Sequence, residues 1–189
     1  NNAGIPFVEL GGVKPNPRSG LVYEGIDLYR REGVDFILAV GGRSSIDSAK
    51  AIALGGAYAG DFWDFYETDR IVTEALPVGT VLTIAAAGSE GSSGSVITNE
   101  ESLLKWSAGG DATVEISVLN PEYTCTLGAY QTACGITDIL VHVIERYFTN
   151  TRHVETTDRV CEAIMTSVIT EASKVMANLQ DYETRANIM

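Results

Sequence analysis

"VDFILAVGGRSSIDSAKAIALGG", residues 34–56, contains the pattern that decides the fold. Its apolar run, within 34–40, is typical of a strand buried on both faces, and such strands belong to parallel sheets. Two glycines and two serines then lead into a helical pattern, in which Ile46 and Leu54 point inward. A strand, a glycine turn and a helix in this order form half of a βαβ unit.

Further strands are predicted on both sides of this unit. The stretch at 76–90 repeats the pattern of an apolar strand that runs into a turn of small residues. Another strand is predicted at 114–121, where Asn-Pro ends it, and a short one at 5–12. A helix is expected between Pro17 and Gly33, because proline favours helix starts and glycine favours helix ends.

From about Tyr130 onward the pattern is helical throughout. Because strands alternate with helices first and helices alone follow, we predict an α/β fold class with a parallel sheet. The pattern predicts an α/β part at 1–122 that is joined to an all-helical part at 123–189. Both ends of the chain interrupt a pattern, so we expect a fragment of a longer protein.

Composition restricts the function classes. The 189 residues are 45% hydrophobic and 20% charged, and the formal net charge is −12. Such an acidic surface repels phosphate backbones, so we expect no nucleic-acid partner. No apolar run approaches about 18 residues, so we expect no membrane span. The three cysteines are scattered, which suits a reducing cytoplasm and argues against a disulfide framework.

Two loops of small residues follow predicted buried strands. Gly41, Gly42 and Ser44 open a helix, whose free N–H groups and partial positive charge suit a dinucleotide pyrophosphate. The alternative is an ordinary tight turn with a serine cap. The loop at 83–95 ends the next strand, and ligands of open α/β sheets lie beyond such ends. The alternative for that loop is a flexible surface segment.

The segment "GITDILVHVIERY", residues 135–147, places an acid and an imidazole on a mostly apolar helix. Asp138 and His142 are four residues apart, so they share one face of the helix. An Asp oxygen and a His nitrogen both suit Zn²⁺ or Fe²⁺. Alternatively, Asp138 caps the helix and His142 is a hydrogen-bonded core residue. Two ligands do not close a metal site, and the other histidine, His153, faces nothing obvious.

Taken together, these segments resemble the iron-containing (group III) alcohol dehydrogenases, and are most similar to the NADPH-dependent butanol dehydrogenase branch. The resemblance covers essentially the whole chain. It implies a dinucleotide-binding α/β domain at 1–122, lacking its N-terminal part, and the beginning of an all-helical metal-binding domain at 123–189. The segments that carry it occur in the family's order, namely "FILAVGGRSSIDSAKAIA", "LPVGTVLTIAAAGSE", "GSVIT", "SVLNPEYTCTL", "GITDILVHVIERYF" and "DYETRANIM". No single motif among them is as specific as the set.

The resemblance implies roles for individual residues. Asp138 and His142 match the first two of a ligand set of one Asp and three His around Fe²⁺ or Zn²⁺. The remaining positions match residues that bind NADP(H), or NAD. They are Gly41, Gly42, Ser44 and Asp47 in the first loop, Thr83 and Ser89 in the second loop, and Lys105. No residue of this chain is predicted to act as a catalytic acid or base.

The implied activity is hydride transfer between NADP(H) and a primary alcohol or aldehyde, by a cytoplasmic enzyme that is expected to be a homodimer. The sequence departs from the family at Arg43, where a third glycine is usual, and at Ala87, where a threonine is usual. The last two histidine ligands are not present in this chain. The alternatives are a non-catalytic nucleotide-binding fragment, or a lyase of the dehydroquinate synthase kind on the same fold.

Overall fold

A computed structural model of the chain describes residues 4–68, 70, 74–109 and 114–189. The described elements run in the order α1 (Ser19–Glu32), β1 (Ile37–Gly41), α2 (Arg43–Ala57), α3 (Asp64–Glu67), β2 (Val78–Leu82), β3 (Ser95–Thr98), β4 (Lys105–Ala108), β5 (Val114–Val118), α4 (Ala129–Tyr147), α5 (Glu155–Ala177) and α6 (Tyr182–Ile188). Short 3₁₀ turns lie at Ser89–Gly91 and Pro121–Thr124. No helix in the described part of the chain is long and apolar enough to cross a membrane.

The chain divides into two compact units. The first comprises Asn1–Ala39, Ser44–Thr80 and Gly91–Ile116. The second comprises Val40–Arg43, Val81–Glu90 and Ser117–Met189, and therefore combines two loop segments with α4, α5 and α6. The sequence-based domain boundary at residue 122 stays a prediction.

A three-stranded sheet has the strand order β1-β2-β5. At the start of β1, the amide of Ile37 donates to the carbonyl oxygen of Pro77, at 3.1 Å. At the end of β1, the carbonyl oxygen of Gly41 accepts from the amide of Thr83, also at 3.1 Å. Because the start of β1 pairs with the start of β2 and the end of β1 with the end of β2, the two strands run parallel. The predicted parallel sheet is confirmed. A separate antiparallel pair joins β3 to β4, with Ser95 opposite Ala108.

Burial of β1 on both faces was wrongly predicted. Ala39 is buried, but the alternate residues Leu38 and Val40 are 55% and 59% exposed. Successive side chains of a strand point to opposite faces, so other parts of the protein cover only the face of β1 on which Ala39 lies. Strand β5 is open as well, since Ile116 is 58% exposed.

The predicted strand at 5–12 is also absent. These residues form no regular element, and Ile5 and Phe7 are each 65% exposed. A strand needs a neighbour for its backbone groups, and no ladder with another described segment reaches 5–12. The predicted helix between Pro17 and Gly33 is present as α1. It ends in Gly33, whose φ of 65° is the left-handed conformation that glycine adopts readily.

The core of the first unit is built around aromatic side chains of α3 and the residues just before it. Phe62 is 1% exposed, and full burial of a phenylalanine contributes about 1.5–3 kcal/mol. Trp63 stacks on Tyr66 with ring centroids 4.9 Å apart. Val22 and Ile26 of α1 pack into the same cluster, so α1 is held by its apolar stripe.

The second unit packs α4, α5 and α6 around Ile136, Val168 and Val175. Asp181 caps α6 by accepting from the amide of Thr184. The guanidinium of Arg185 is buried, and it donates to the carbonyl oxygen of Leu179 at 2.6 Å. Buried charge is costly unless it is hydrogen-bonded, so these contacts fix α6 against its neighbours.

The hydroxyl of Tyr66 gives the first unit a pH-dependent stability. It lies 2.5 Å from the hydroxyl of Ser95, and burial raises its pKa well above the ordinary 10.0. The unfolded chain therefore loses this proton first, so the stability from Tyr66 is complete below pH 10 and falls as the pH rises above 10. The slope is about 1.4 kcal/mol per pH unit for one group.

We expect Tyr66→Phe to flatten the loss of stability above pH 10, measured by urea denaturation at a series of pH values. At neutral pH the variant is expected to be about 1–3 kcal/mol less stable, because it leaves the buried Ser95 without this partner. Tyr130→Phe is the matched control, since Tyr130 is 78% exposed. An unchanged alkaline slope in Tyr66→Phe would contradict the assignment.

Candidate cofactor and metal site

The first loop lies at the end of β1, where Gly41 and Gly42 lead directly into α2. A side chain at Gly42 would place its Cβ 2.5 Å from Cγ2 of Ile84, so glycine permits this close packing. The first turn of α2 contains no acidic residue, so no carboxylate there offsets the partial positive charge of the helix start. Ser44 lies in this turn, and its carbonyl oxygen accepts from the hydroxyl of Ser48.

The second loop begins beside the first. The bond from the amide of Thr83 to Gly41 fixes its start at the edge where β1 ends. Gly88 has a φ of 72°, a conformation that a side chain would strain, so the loop turns there. Ser89 follows and is 6% exposed. The predicted cofactor residues Gly41, Gly42 and Thr83 therefore lie together at the carboxyl ends of two parallel strands, where open α/β sheets bind ligands.

Helix α4 approaches the second loop at Gly135. A Cβ at Gly135 would lie 2.5 Å from the carbonyl oxygen of Ala85, so the helix and the loop backbone are in direct contact. Asp138 and His142 follow at three and seven residues, which places them on the same stripe of the helix as Gly135. The metal-ligand candidates therefore continue the stripe of α4 that contacts the loop.

The two candidate ligands lie close together. Nε2 of His142 is 3.8 Å from Oδ1 of Asp138, and both side chains are partly exposed. Two atoms that ligate one tetrahedral metal ion at about 2.1 Å lie about 3.4 Å apart, so a small side-chain rotation would let this pair bind one ion. Nδ1 of His142 lies 3.9 Å from Oε2 of Glu145. Among the described residues, no group of three or more His, Cys, Asp or Glu is arranged to hold a metal ion.

A cavity of about 430 Å³ opens inside the second unit, next to the second loop. Ala85, Gly88 and Glu90 line one side of it, and Ile139 of α4 lines another. Ile139 is the neighbour of Asp138 and lies four residues after Gly135. Helix α5 contributes Ala163, Ile164, Ser167 and Val168, so the cavity is mainly apolar with a few polar groups.

Two predicted cofactor residues are engaged with protein groups in the first unit. Asp47 is 2% exposed, and its Oδ2 accepts from the amide of Val96 at 3.1 Å. The ammonium group of Lys105 donates to Oδ1 of Asn16 at 2.7 Å on the surface. Direct contact of Asp47 and Lys105 with a cofactor stays a prediction.

Sequence reasoning missed Lys50. It is 0% exposed, and its Nζ donates to the carbonyl oxygen of Gly94 at 3.1 Å and to the hydroxyl of Ser92 at 3.3 Å. The signal was a lysine within "SAKAIAL", a helical segment of otherwise small and apolar residues. A charged residue at an inward position of such a helix is rarely fully buried without a specific partner.

Two family profiles match this chain in succession. Residues 1–121, more than half of the chain, match the profile described as iron-containing alcohol dehydrogenase. The chain belongs to the iron-containing alcohol dehydrogenase family. Residues 132–189 match the profile for the C-terminal part of the Fe-containing alcohol dehydrogenase family.

Two curated relatives are 46% and 36% identical in sequence to this chain. A probable NADH-dependent butanol dehydrogenase 2 of Bacillus subtilis is 46% identical over 182 residues, which are 96% of this chain and 47% of that protein. The NADPH-dependent aldehyde reductase YqhD of Escherichia coli is 36% identical, over 98% of this chain and 49% of its own length. The chain therefore spans about half the length of the curated relatives it matches.

A crystal structure of a similar protein matches the fold. NADH-dependent butanol dehydrogenase A from Thermotoga maritima has a TM-score of 0.94 and 36% identity, over 99% of this chain and 47% of that protein. This match confirms the predicted fold class, a parallel-sheet α/β part followed by the start of an all-α domain. The matches do not favour the alternatives of a dehydroquinate synthase-like lyase or a non-catalytic fragment.

Proposed function

We propose that the protein to which this chain belongs transfers a hydride between a nicotinamide dinucleotide and a primary alcohol or aldehyde. The observation that carries the proposal is the arrangement within the second unit. The first loop at Gly41 meets the second loop at Thr83, and the second loop meets α4 at Gly135. Candidate groups for cofactor and metal therefore occur on segments that are in direct contact.

The cofactor proposal rests on the two loops. Glycine backbone at 41 and 42 lets a pyrophosphate approach the first N–H groups of α2, which lack intrahelical partners. Arg43 is the first residue of that helix, and its guanidinium adds positive charge at the same end. An arginine can pair with a phosphate through two parallel hydrogen bonds. We propose NADP(H) or NAD(H) as the cofactor, because relatives with NADH and with NADPH in their names match this chain.

The metal proposal rests on Asp138 and His142. These residues would hold Fe²⁺ or Zn²⁺ through Oδ1 and Nε2, the two atoms that face each other across 3.8 Å. When bound, the ion supplies Lewis-acid polarisation of the substrate oxygen. The carboxylate of Glu145 lies on the Nδ1 side of the imidazole and favours the tautomer in which Nδ1 is protonated.

The substrate proposal follows from the cavity beside the second loop. Its side chains from α4 and α5 are mainly apolar, which suits a short alkyl chain better than a charged substrate. Relatives named butanol dehydrogenase and aldehyde reductase support the same class. We include in the proposal a cytoplasmic location, which agrees with three free cysteines, and a homodimer.

Turnover with butyraldehyde tests this function. The gene product that carries this chain is incubated with NADH or NADPH, with Fe²⁺ or Zn²⁺, and the nicotinamide absorbance is followed. We expect oxidation of the nicotinamide only when aldehyde and metal are both present. Treatment with a chelator is expected to stop the reaction, and added metal to restore it. Metal-independent turnover, or no binding of either dinucleotide, would refute the proposal.

A further inference from the structure

Helix α2 carries two charged side chains at fully buried positions. Asp47 and Lys50 are 2% and 0% exposed, while the other buried positions of the helix are alanine, isoleucine, leucine, serine and glycine. Burial of a charge is expensive, so such groups persist where hydrogen bonds compensate the lost hydration. Among the described residues, no buried side-chain nitrogen or oxygen lacks a hydrogen-bond partner. The partners in these hydrogen bonds therefore identify the segment that the two residues hold in place.

Hydrogen bonds of both residues reach the same short segment. Nζ of Lys50 donates to the carbonyl oxygen of Gly94 and the hydroxyl of Ser92, while Oδ2 of Asp47 accepts from the amide of Val96. The segment at 92–96 is the end of the second loop and the start of β3. Three contacts from one helix thus fix the exit of that loop.

The sequence of the second loop does not by itself favour one conformation, so contacts with other segments must fix it. In its middle, the carbonyl oxygen of Glu90 accepts from the hydroxyl of Ser117 at 3.2 Å. The run "GSEGSSG" at 88–94 consists of glycines, serines and one glutamate, which is the composition of a flexible linker. Its entrance is fixed to the first loop by the bond between Thr83 and Gly41. Its exit is fixed to α2, the helix that the first loop opens. Both ends of the second loop are thereby tied to the elements that form the first.

We propose that Lys50, assisted by Asp47, is a positioning residue for the dinucleotide. It holds the second loop in register with the helix start that receives the pyrophosphate, and it does so without touching the cofactor, because it is fully buried. The inference rests on the proposed function in one respect, namely that the second loop binds the dinucleotide. It assigns a role to a lysine for which the loop motifs alone give no reason.

Lys50→Met tests the proposal, because methionine retains most of the apolar length and removes the three N–H donors. We expect the Kd for NADH or NADPH, measured by fluorescence titration, to rise about tenfold, the equivalent of one lost hydrogen bond from a charged group. Hydrogen exchange is expected to accelerate at 88–96, while the affinity for Zn²⁺ stays unchanged. Lys50→Arg, which keeps the charge and the donors, is expected to restore part of the cofactor affinity.

Lys174→Met is the matched control, since Lys174 is an exposed lysine of α5 that pairs with Glu171. A purely structural role would lower the melting temperature of Lys50→Met while the Kd of the folded protein stayed the same, and that result would overturn the inference. Where Lys50→Met fails to fold, Ser92→Ala removes one acceptor of Lys50 and keeps the lysine itself. An unchanged Kd and unchanged exchange at 88–96 in that variant would overturn the inference equally. Absence of dinucleotide binding in the wild-type chain would refute the proposed function as well, whereas equal binding by wild type and Lys50→Met would refute this inference alone.

Discussion

His142→Ala is expected to lower the affinity of the chain for Fe²⁺ or Zn²⁺ by at least about tenfold. Loss of a residue that only orients a ligand already costs about 10–100-fold, so loss of a ligand should cost no less. Asp138→Asn is expected to act in the same direction, because it removes the negative charge 3.8 Å from the imidazole. Isothermal titration with Zn²⁺, and metal analysis after dialysis, measure both effects.

The chain contains its own control for this experiment. His153→Ala removes the other histidine, which is exposed, has a φ of 64° and lies beyond the end of α4. We expect that variant to bind metal as the wild type does. Equal loss of affinity in both histidine variants would indicate adventitious binding, and no loss in His142→Ala would remove Asp138 and His142 from the metal site.

Gly135→Ala is expected to destabilise the second unit by about 1–3 kcal/mol, the usual cost of overpacking. In an open helix the same change would stabilise by about 1 kcal/mol, because alanine is the better helix former. Here the new Cβ would lie 2.5 Å from the carbonyl oxygen of Ala85, and a backbone atom cannot move away without the loop. We therefore expect the clash to outweigh the gain in helix propensity.

Thermal denaturation of Gly135→Ala and Gly128→Ala provides the comparison. Gly128 precedes α4 with a φ of −70°, and a Cβ there would meet nothing within 4 Å. We expect the stability of Gly128→Ala to lie within about 0.5 kcal/mol of wild type. A Gly135→Ala variant that is as stable as wild type, with unchanged dinucleotide binding, would show that α4 and the loop are not in close contact.

Local patterns predicted the parts of the molecule that depend on neighbours in the chain. The step from β1 through Gly41 and Gly42 into α2 was predicted because an apolar run, a glycine turn and a helical period are each local signals. The proximity of Asp138 and His142 followed from the helical repeat alone. Both features would persist in any tertiary environment that keeps the helix and the strand.

Features set by distant residues were not predictable in this way. The hydrogen-bond acceptors of Lys50 lie 42 and 44 residues further along the chain, and no local pattern indicates them. The exposure of Leu38 was missed because apolar character shows that a side chain favours burial, but not that a layer covers it. The segment at 5–12 has strand-like composition, but within the described part of the chain no strand pairs with it.

The contact between Gly135 and the carbonyl oxygen of Ala85 has a thermodynamic consequence. Under the proposed function, nucleotide binding by the second loop and cation binding by Asp138 and His142 would act on the two sides of this contact, so the two binding equilibria are expected to share one coupling free energy. By reciprocity, the factor by which the bound coenzyme would change the association constant of the cation equals the factor by which the cation would change that of the coenzyme.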